Sequence, residues 1–469
     1  MFRPAQEQRW DPVEGFRPAL ASESAQRELR RWTVIALGAL ALAGVYALLL
    51  AISRIPGADT LFPWPVAFYE KSLIIHVVFS FVVWYLTIGI ILMLIGSYRL
   101  SDGAPQFRGL GAAGLAAMAI AFAALAAPAL MDRGVPSLNN YVPAIIDPVY
   151  YVGLLLVAFA ITLSAVRILA NRAMQNGAME PIGAAGLSAA VIALIAVAAF
   201  AISWNRLGVM PTQAAENEDL FWAGGHILQF FNTTVMIAGW VLLGGRAFAQ
   251  PPVAPRVVML ALGVNALLAA GGLALMFIAE PFSPEERILF THYQYALAPV
   301  PIFIGLIAGA KLFSVPAPDG EAARTARLAL GLSLLVFFAG GVLGIFVDGT
   351  DTRTPAHYHG VIGGVNVAAM GLIILFVLPL LSRGLVKWKA MRAAFWLYGL
   401  GQLLHSLGLF IAGGYGAPRK VSDTAPGMDV IGNWIGHVGI GIGGVIAVLG
   451  GIMFIWIAGK RALQRQKGI

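Results

Sequence analysis

Apolar residues run along this chain in long, nearly uninterrupted stretches. They show neither the alternation of a half-buried strand nor the narrow stripe of an amphipathic surface helix. A helix needs about 20 predominantly apolar residues to cross a bilayer core. Twelve stretches reach that length, at approximately 33–53, 70–97, 109–130, 149–169, 182–203, 220–244, 257–279, 288–313, 326–347, 356–382, 393–414 and 430–458. Most connections between them are short. The pattern predicts an all-α integral membrane protein, one bundle of twelve transmembrane helices without a soluble domain. Residues 1–32 are polar and mix charges of both signs, and they read as a cytoplasmic tail. Residues 33–458 form the membrane domain and 459–469 a basic C-terminal tail. The first apolar run is too long and starts too late for a cleaved signal peptide.

Composition agrees with lipid as the solvent. Of 469 residues, 59% are hydrophobic and 12% charged, whereas soluble domains carry about 25% charged residues. The mean hydropathy is +0.80. The chain has no cysteine, which removes disulfides, thiolate metal sites, iron–sulfur clusters and the attachment motif of c-type heme. The net charge of +8 would suit nucleic acid if it were gathered on one face. It is instead spread over alternate loops. With the N-terminus in the cytoplasm, twenty flanking basic residues fall inside, among them Arg30, Arg31, Arg99, Arg108, Arg256, Arg327, Lys389 and Lys460, against eight outside. That is the bias of the positive-inside rule. It predicts both termini on the cytoplasmic side of a bacterial inner membrane, with lipid and not nucleic acid as the partner. Glycine-rich stretches such as 360–364 and 439–444 lie within spans, where small residues let helices pack closely.

All seven histidines lie in or at the predicted spans. His76, His226, His292, His357, His359 and His437 fall in the early turns of even-numbered spans, which run from outside to inside. His405 lies near the outer end of span 11, which runs the other way. All therefore share the outer half of the bilayer, where an ionisable side chain is costly and points to function. Seven unrelated core histidines would be scattered in depth. A shared layer predicts metal or heme ligation, and neutral imidazole suits iron and copper. Within Ala356-His357-Tyr358-His359, residues two apart on a helix point about 200° apart. One helix can then serve two different hemes, one on each face.

On these residues the chain resembles the catalytic subunit I of the heme–copper oxidoreductases, the cytochrome oxidases and nitric oxide reductases. The signature is His-x-His early in span 10 with a histidine early in span 2, and the resemblance extends over all twelve spans. It implies that His76 and His359 are the axial ligands of a low-spin heme and His357 the proximal ligand of a high-spin heme. Phe221-Trp222-Ala223-Gly224-Gly225-His226 is similar to the sixth-helix segment that supplies a histidine to a non-heme metal, iron or copper. The turn 412–420 resembles a family turn ending in two basic residues, which casts Arg419 and Lys420 as partners of the heme propionates.

The chain departs from the family where adjacent histidines at the end of the seventh helix complete the non-heme metal site. In one alignment Thr291-His292-Tyr293 stands there and a single histidine survives. In the other, which we favour, 295–301 matches the eighth helix of nitric oxide reductases and the lost pair lies near Ala279-Glu280-Pro281. Glu280, with His226 and His292, then offers a mixed nitrogen and oxygen ligand set, which favours iron over copper. Glu280 is also the candidate proton donor. Oxygen-reducing members carry a tyrosine on the sixth or seventh helix, but here the residue four after His226 is Phe230, and span 7 has no tyrosine. The resemblance therefore leans to a nitric oxide reductase, with an oxygen reductase and a non-catalytic heme-carrying subunit as alternatives. A second subunit, a soluble cytochrome c or cupredoxin, or quinol is the expected electron donor, and a gas is the expected substrate. His405 and His437 match no family ligand.

Overall fold

The computed structural model describes residues 11–53, 67–174, 179–316, 318–347, 349, 351–385, 387–419 and 431–464. Among them are twelve helices long and apolar enough to cross a membrane. They are span 1 (Glu23–Leu50), span 2 (Tyr69–Leu100), span 3 (Arg108–Leu130), span 4 (Pro148–Met174), span 5 (Pro181–Leu207) and span 6 (Ala214–Phe248), followed by span 7 (Pro255–Leu275), span 8 (Pro284–Ser314), span 9 (Glu321–Gly344), span 10 (Arg353–Leu380), span 11 (Trp388–Gly414) and span 12 (Ile431–Leu463). Proline opens several of them, where its missing N–H costs nothing and its fixed φ suits the first helical turn. The twelve-helix architecture expected from the apolar runs is thus the one observed.

Three helices form the centre. In spans 2, 6 and 10, 89% of the apolar window is buried inside the protein, against 22–50% in the other nine. These three carry His76, His226, His357 and His359. Spans 2 and 10 each contain a π-helical turn, at Val78–Val83 and Ile373–Val377. Such widened turns re-aim side chains and are frequent at functional sites, and the first begins two residues after His76.

Close approach between helices depends on glycine. A Cβ on Gly340 of span 9 would lie 2.3 Å from the Val361 nitrogen of span 10, and one on Gly360 would lie 2.4 Å from Gly340. Gly401, Gly408, Gly436, Gly443 and Gly450 make the same kind of backbone contact between spans 11 and 12.

Two regions extend beyond the apolar pattern. The polar N-terminal segment is folded from Asp11 onward. A short helix, Pro12–Phe16, buries Val13 and Phe16. The Phe16 ring sits edge-on to Phe376 at 5.5 Å, Gln26 donates to the Leu380 carbonyl, and Asp11 pairs with Arg246. The segment thus closes one end of spans 6 and 10. Span 1 starts well before its apolar run because Glu28 has buried partners: Arg167 of span 4 and the Tyr98 hydroxyl of span 2.

The second region is a small antiparallel hairpin between spans 3 and 4. Its strands β1 (Val135–Ser137) and β2 (Ala144–Ile146) pair Val135 with Ile146, Pro136 with Ile145 and Ser137 with Ala144. Gly134 enters it at φ +70°, and a Cβ there would meet the Ile146 carbonyl at 2.7 Å.

Candidate functional site

The histidine layer is held by backbone carbonyls. His76 Nδ1 bonds the Ala43 carbonyl of span 1 at 2.9 Å, and His357 Nδ1 bonds the Gly340 carbonyl of span 9 at 2.8 Å. A ring that donates Nδ1–H to a fixed carbonyl keeps Nε2 as its unprotonated nitrogen, the usual arrangement of an iron-ligating imidazole. Gly344 makes room for the His357 ring, since a Cβ would lie 2.5 Å from Nδ1.

Register between the helices sets depth. Trp84 Nε1 of span 2 donates to Asn366 Oδ1 of span 10 at 2.8 Å. His76 stands eight residues before that bond on span 2, and His359 seven before it on span 10. At 1.5 Å per residue these are about 12 and about 10 Å, so the two imidazoles share a level. Spans 6 and 10 run side by side, with Gly239 against Ala368 and Gly371 against Leu243. Counting back from Gly239 and Ala368, His226 and His357 lie about 20 and about 17 Å along parallel helices. Tyr358, between the two span 10 histidines, is 40% exposed. The Nδ1 atoms anchored on carbonyls at His76 and His357, and the level shared by His76 and His359, suit imidazoles that hold hemes.

The turn after span 11 meets the start of span 10. Pro418 bridges Asp351, Thr352 N donates to the Ala417 carbonyl, and Thr352 Oγ1 donates to the Leu409 carbonyl. Asp351 is buried against Arg353, whose Nη2 lies 2.6 Å from Oδ2. Burial works against the charged carboxylate, but the Arg353 hydrogen bonds and charge outweigh it and hold Asp351 below the usual carboxylate range. Arg419 is partly exposed in this turn and within electrostatic reach of Tyr358. Lys420 lies outside the described residues. His405 meets the His359 ring edge-to-face at 4.7 Å, with its Nδ1 on the Ile440 carbonyl. His437 Nδ1 bonds the Asn433 carbonyl of its own helix.

The non-heme metal site is different. His226 is 2% exposed, and both its nitrogens are engaged. Nδ1 bonds the Trp222 carbonyl at 2.8 Å, and Nε2 lies 2.8 Å from the Tyr141 hydroxyl. Its ring packs among Tyr141, Trp222 and Phe290. Glu280 is exposed in the link between spans 7 and 8, and His292 is exposed near the end of Pro284–Tyr293, the first α-helical segment of span 8. The structure does not gather these two with His226: among the described residues no three histidine or carboxylate side chains are grouped to hold a metal ion. Among the described residues, His226, Glu280 and His292 do not make a donor set that fits a non-heme metal.

Tyr141 was not among the residues singled out from sequence. It lies in residues 138–143, the loop of the hairpin, and the first turns of span 6 pin that loop. Asn140 donates through N and Nδ2 to Glu218. Asn217 donates to Ser137 Oγ and accepts from the Tyr151 hydroxyl. The Tyr141 side chain lies on Gly225, where a Cβ would fall 2.5 Å from the Tyr141 Cβ. Burial, and then the Glu218 carboxylate, push the Tyr141 hydroxyl well above its ordinary range, so it keeps its proton and donates. The one sequence signal was Gly224-Gly225 before His226, a flattened helix face that a large side chain must cover.

Comparisons with known proteins give a consistent picture. The sequence model described as cytochrome C and quinol oxidase polypeptide I matches residues 29–446. An uncharacterized protein of Rickettsia prowazekii is 24% identical, over 92% of this chain and 94% of its own length. An uncharacterized protein of Aquifex aeolicus is 30% identical, over 74% of this chain and 83% of its own. A solved heme-copper terminal oxidase dimer has the same fold, with a TM-score of 0.75 at 14% identity, over 95% of this chain and 85% of that one.

Proposed function

Because the chain belongs to the cytochrome c and quinol oxidase polypeptide I family, we propose that it is a heme-carrying membrane oxidoreductase subunit that reduces a small gas, nitric oxide in preference to oxygen. The observation that carries the reading is His357: its Nδ1 is anchored on Gly340, and it stands at the level of His226 on the neighbouring central helix. His76 and His359 would hold a low-spin heme and His357 a high-spin heme. When bound, these groups supply one-electron transfer and an open iron site. Arg419 and Lys420 would neutralise propionates, and a charged hydrogen bond of that kind is roughly twice as strong as a neutral one. Glu280 and His292 are exposed and do not form a metal-holding group with His226 among the described residues, so no step is derived through a non-heme metal.

Nitric oxide is favoured because its reduction needs few redox equivalents. Two nitric oxide molecules, two electrons and two protons give nitrous oxide and water. That chemistry asks for no tyrosine radical, and the position one turn after His226 is Phe230. A second reading, oxygen reduction, draws on the Tyr141 hydroxyl beside His226. Family members in general take electrons from cytochrome c or quinol and act with other subunits. Without cysteine for a thiolate copper or c-type heme site, this chain needs such a donor, a cupredoxin included. The basic loops support a cytoplasmic N-terminus.

Gas consumption by the purified, heme-loaded protein with a reductant tests the proposal. The expected result is nitric oxide loss with nitrous oxide formed at half the molar amount, and little oxygen uptake. Oxygen uptake without nitric oxide turnover would establish the second reading instead.

A further inference from the structure

His226 is the most enclosed of the described histidines, and its neutral ring has no spare nitrogen. Nδ1–H donates to the Trp222 carbonyl, and the Tyr141 hydroxyl donates to Nε2. A metal at Nε2 would have to displace Tyr141. That residue is fixed by the Asn140–Glu218 and Ser137–Asn217–Tyr151 bonds, by Tyr150 donating to the Pro143 carbonyl, and by its seat on Gly225. The neighbouring carboxylates are committed as well. Asp219 pairs with Arg287, Glu218 accepts from Asn140, and Glu286 accepts from Phe282 N and faces Arg206.

The pair also has polar atoms beside it that lack a partner. Trp222 Nε1 is buried without one, and so are both amide atoms of Asn139, two residues before Tyr141 in the same loop. Buried polar groups are seldom left unsatisfied. Trp222 packs edge-on to the His226 ring, so this unpaired donor lies next to the pair.

We infer that Tyr141 makes His226 a hydrogen-bonding imidazole and not a metal ligand, so that a phenol–imidazole pair stands where the family's non-heme metal would be. Tyr141 is a positioning residue: it fixes which nitrogen of His226 carries the proton and which way the ring faces. The occupant suited to the unpaired Trp222 Nε1 beside the pair is a small uncharged acceptor, water or a diatomic gas. The inference rests on the proposed gas site for its substrate, but not for its metal content.

Two measurements on the heme-loaded protein test it. The first is iron and copper per heme. The pair predicts iron equal to heme and no stoichiometric copper. One extra metal per chain, lost in His226→Ala and retained in Tyr141→Phe, would overturn it. The second is the C–O stretching band of the reduced carbon monoxide adduct. Tyr141→Phe removes one hydroxyl and frees the ring, so the band should shift and broaden, while heme content and the low-spin heme spectrum stay unchanged. An identical band in both proteins would overturn the positioning role. If no adduct forms in the wild type, the open heme of the proposed function fails, and the metal count still decides the inference.

Discussion

Single side chains in this protein act through the backbone groups that hold them. The Nδ1 atoms of His76, His226, His357, His405 and His437 all rest on carbonyls, and the difference in chemistry lies at the other nitrogen. For His226 it is taken by a phenol. The sequence showed the residue types and their common depth but not this distinction, because a hydrogen bond between residues 141 and 226 has no local pattern. Asp351 is a simpler case. Its folded pKa lies below the ordinary carboxylate value because of Arg353. The stability it contributes is therefore complete above the unfolded carboxylate pKa and lost as pH falls through the lower folded one, in the acid range. Thermal unfolding in detergent across that range should show the loss in wild type. Asp351→Asn should be less stable at neutral pH and flatter in that range.

Helices meet here through glycine, and the span 9 and 10 pair joins packing to the heme site. Gly340 lies against Val361 N and Gly360, and its carbonyl holds His357. Gly340→Val would force the helices apart. We expect a loss of about 1–3 kcal/mol, typical of overpacking, with heme content falling first at the His357 site. A melting temperature and heme ratio equal to wild type would contradict this. Apolar length revealed the helices themselves. It did not reveal the π turns after His76 and in span 10, which are small registry changes within apolar runs, nor the folded start of the chain. There Phe16 and Gln26 are held by Phe376 and Leu380, more than 350 positions away in sequence.

At the scale of the molecule, burial and chemistry coincide. The three most buried helices carry His76, His226, His357 and His359, as expected when imidazoles are costly in lipid and must face the interior. The low charge fraction made the twelve-helix architecture legible, and the histidine layer put the proposed heme ligands on the most buried helices. The non-heme metal was an expectation from family pattern; among the described residues Glu280 and His292 are exposed and His226 is hydrogen-bonded at both nitrogens. Central to the proposed function is an open heme on His357 beside a closed one on His76 and His359. The reduced spectrum of the purified protein with and without carbon monoxide, in wild type and His357→Ala, tests it. Two hemes per chain are expected, one of which shifts with carbon monoxide, and His357→Ala should lose that shift while keeping the low-spin spectrum. A wild type with no carbon monoxide shift, or a His357→Ala variant that retains it, would contradict the proposal.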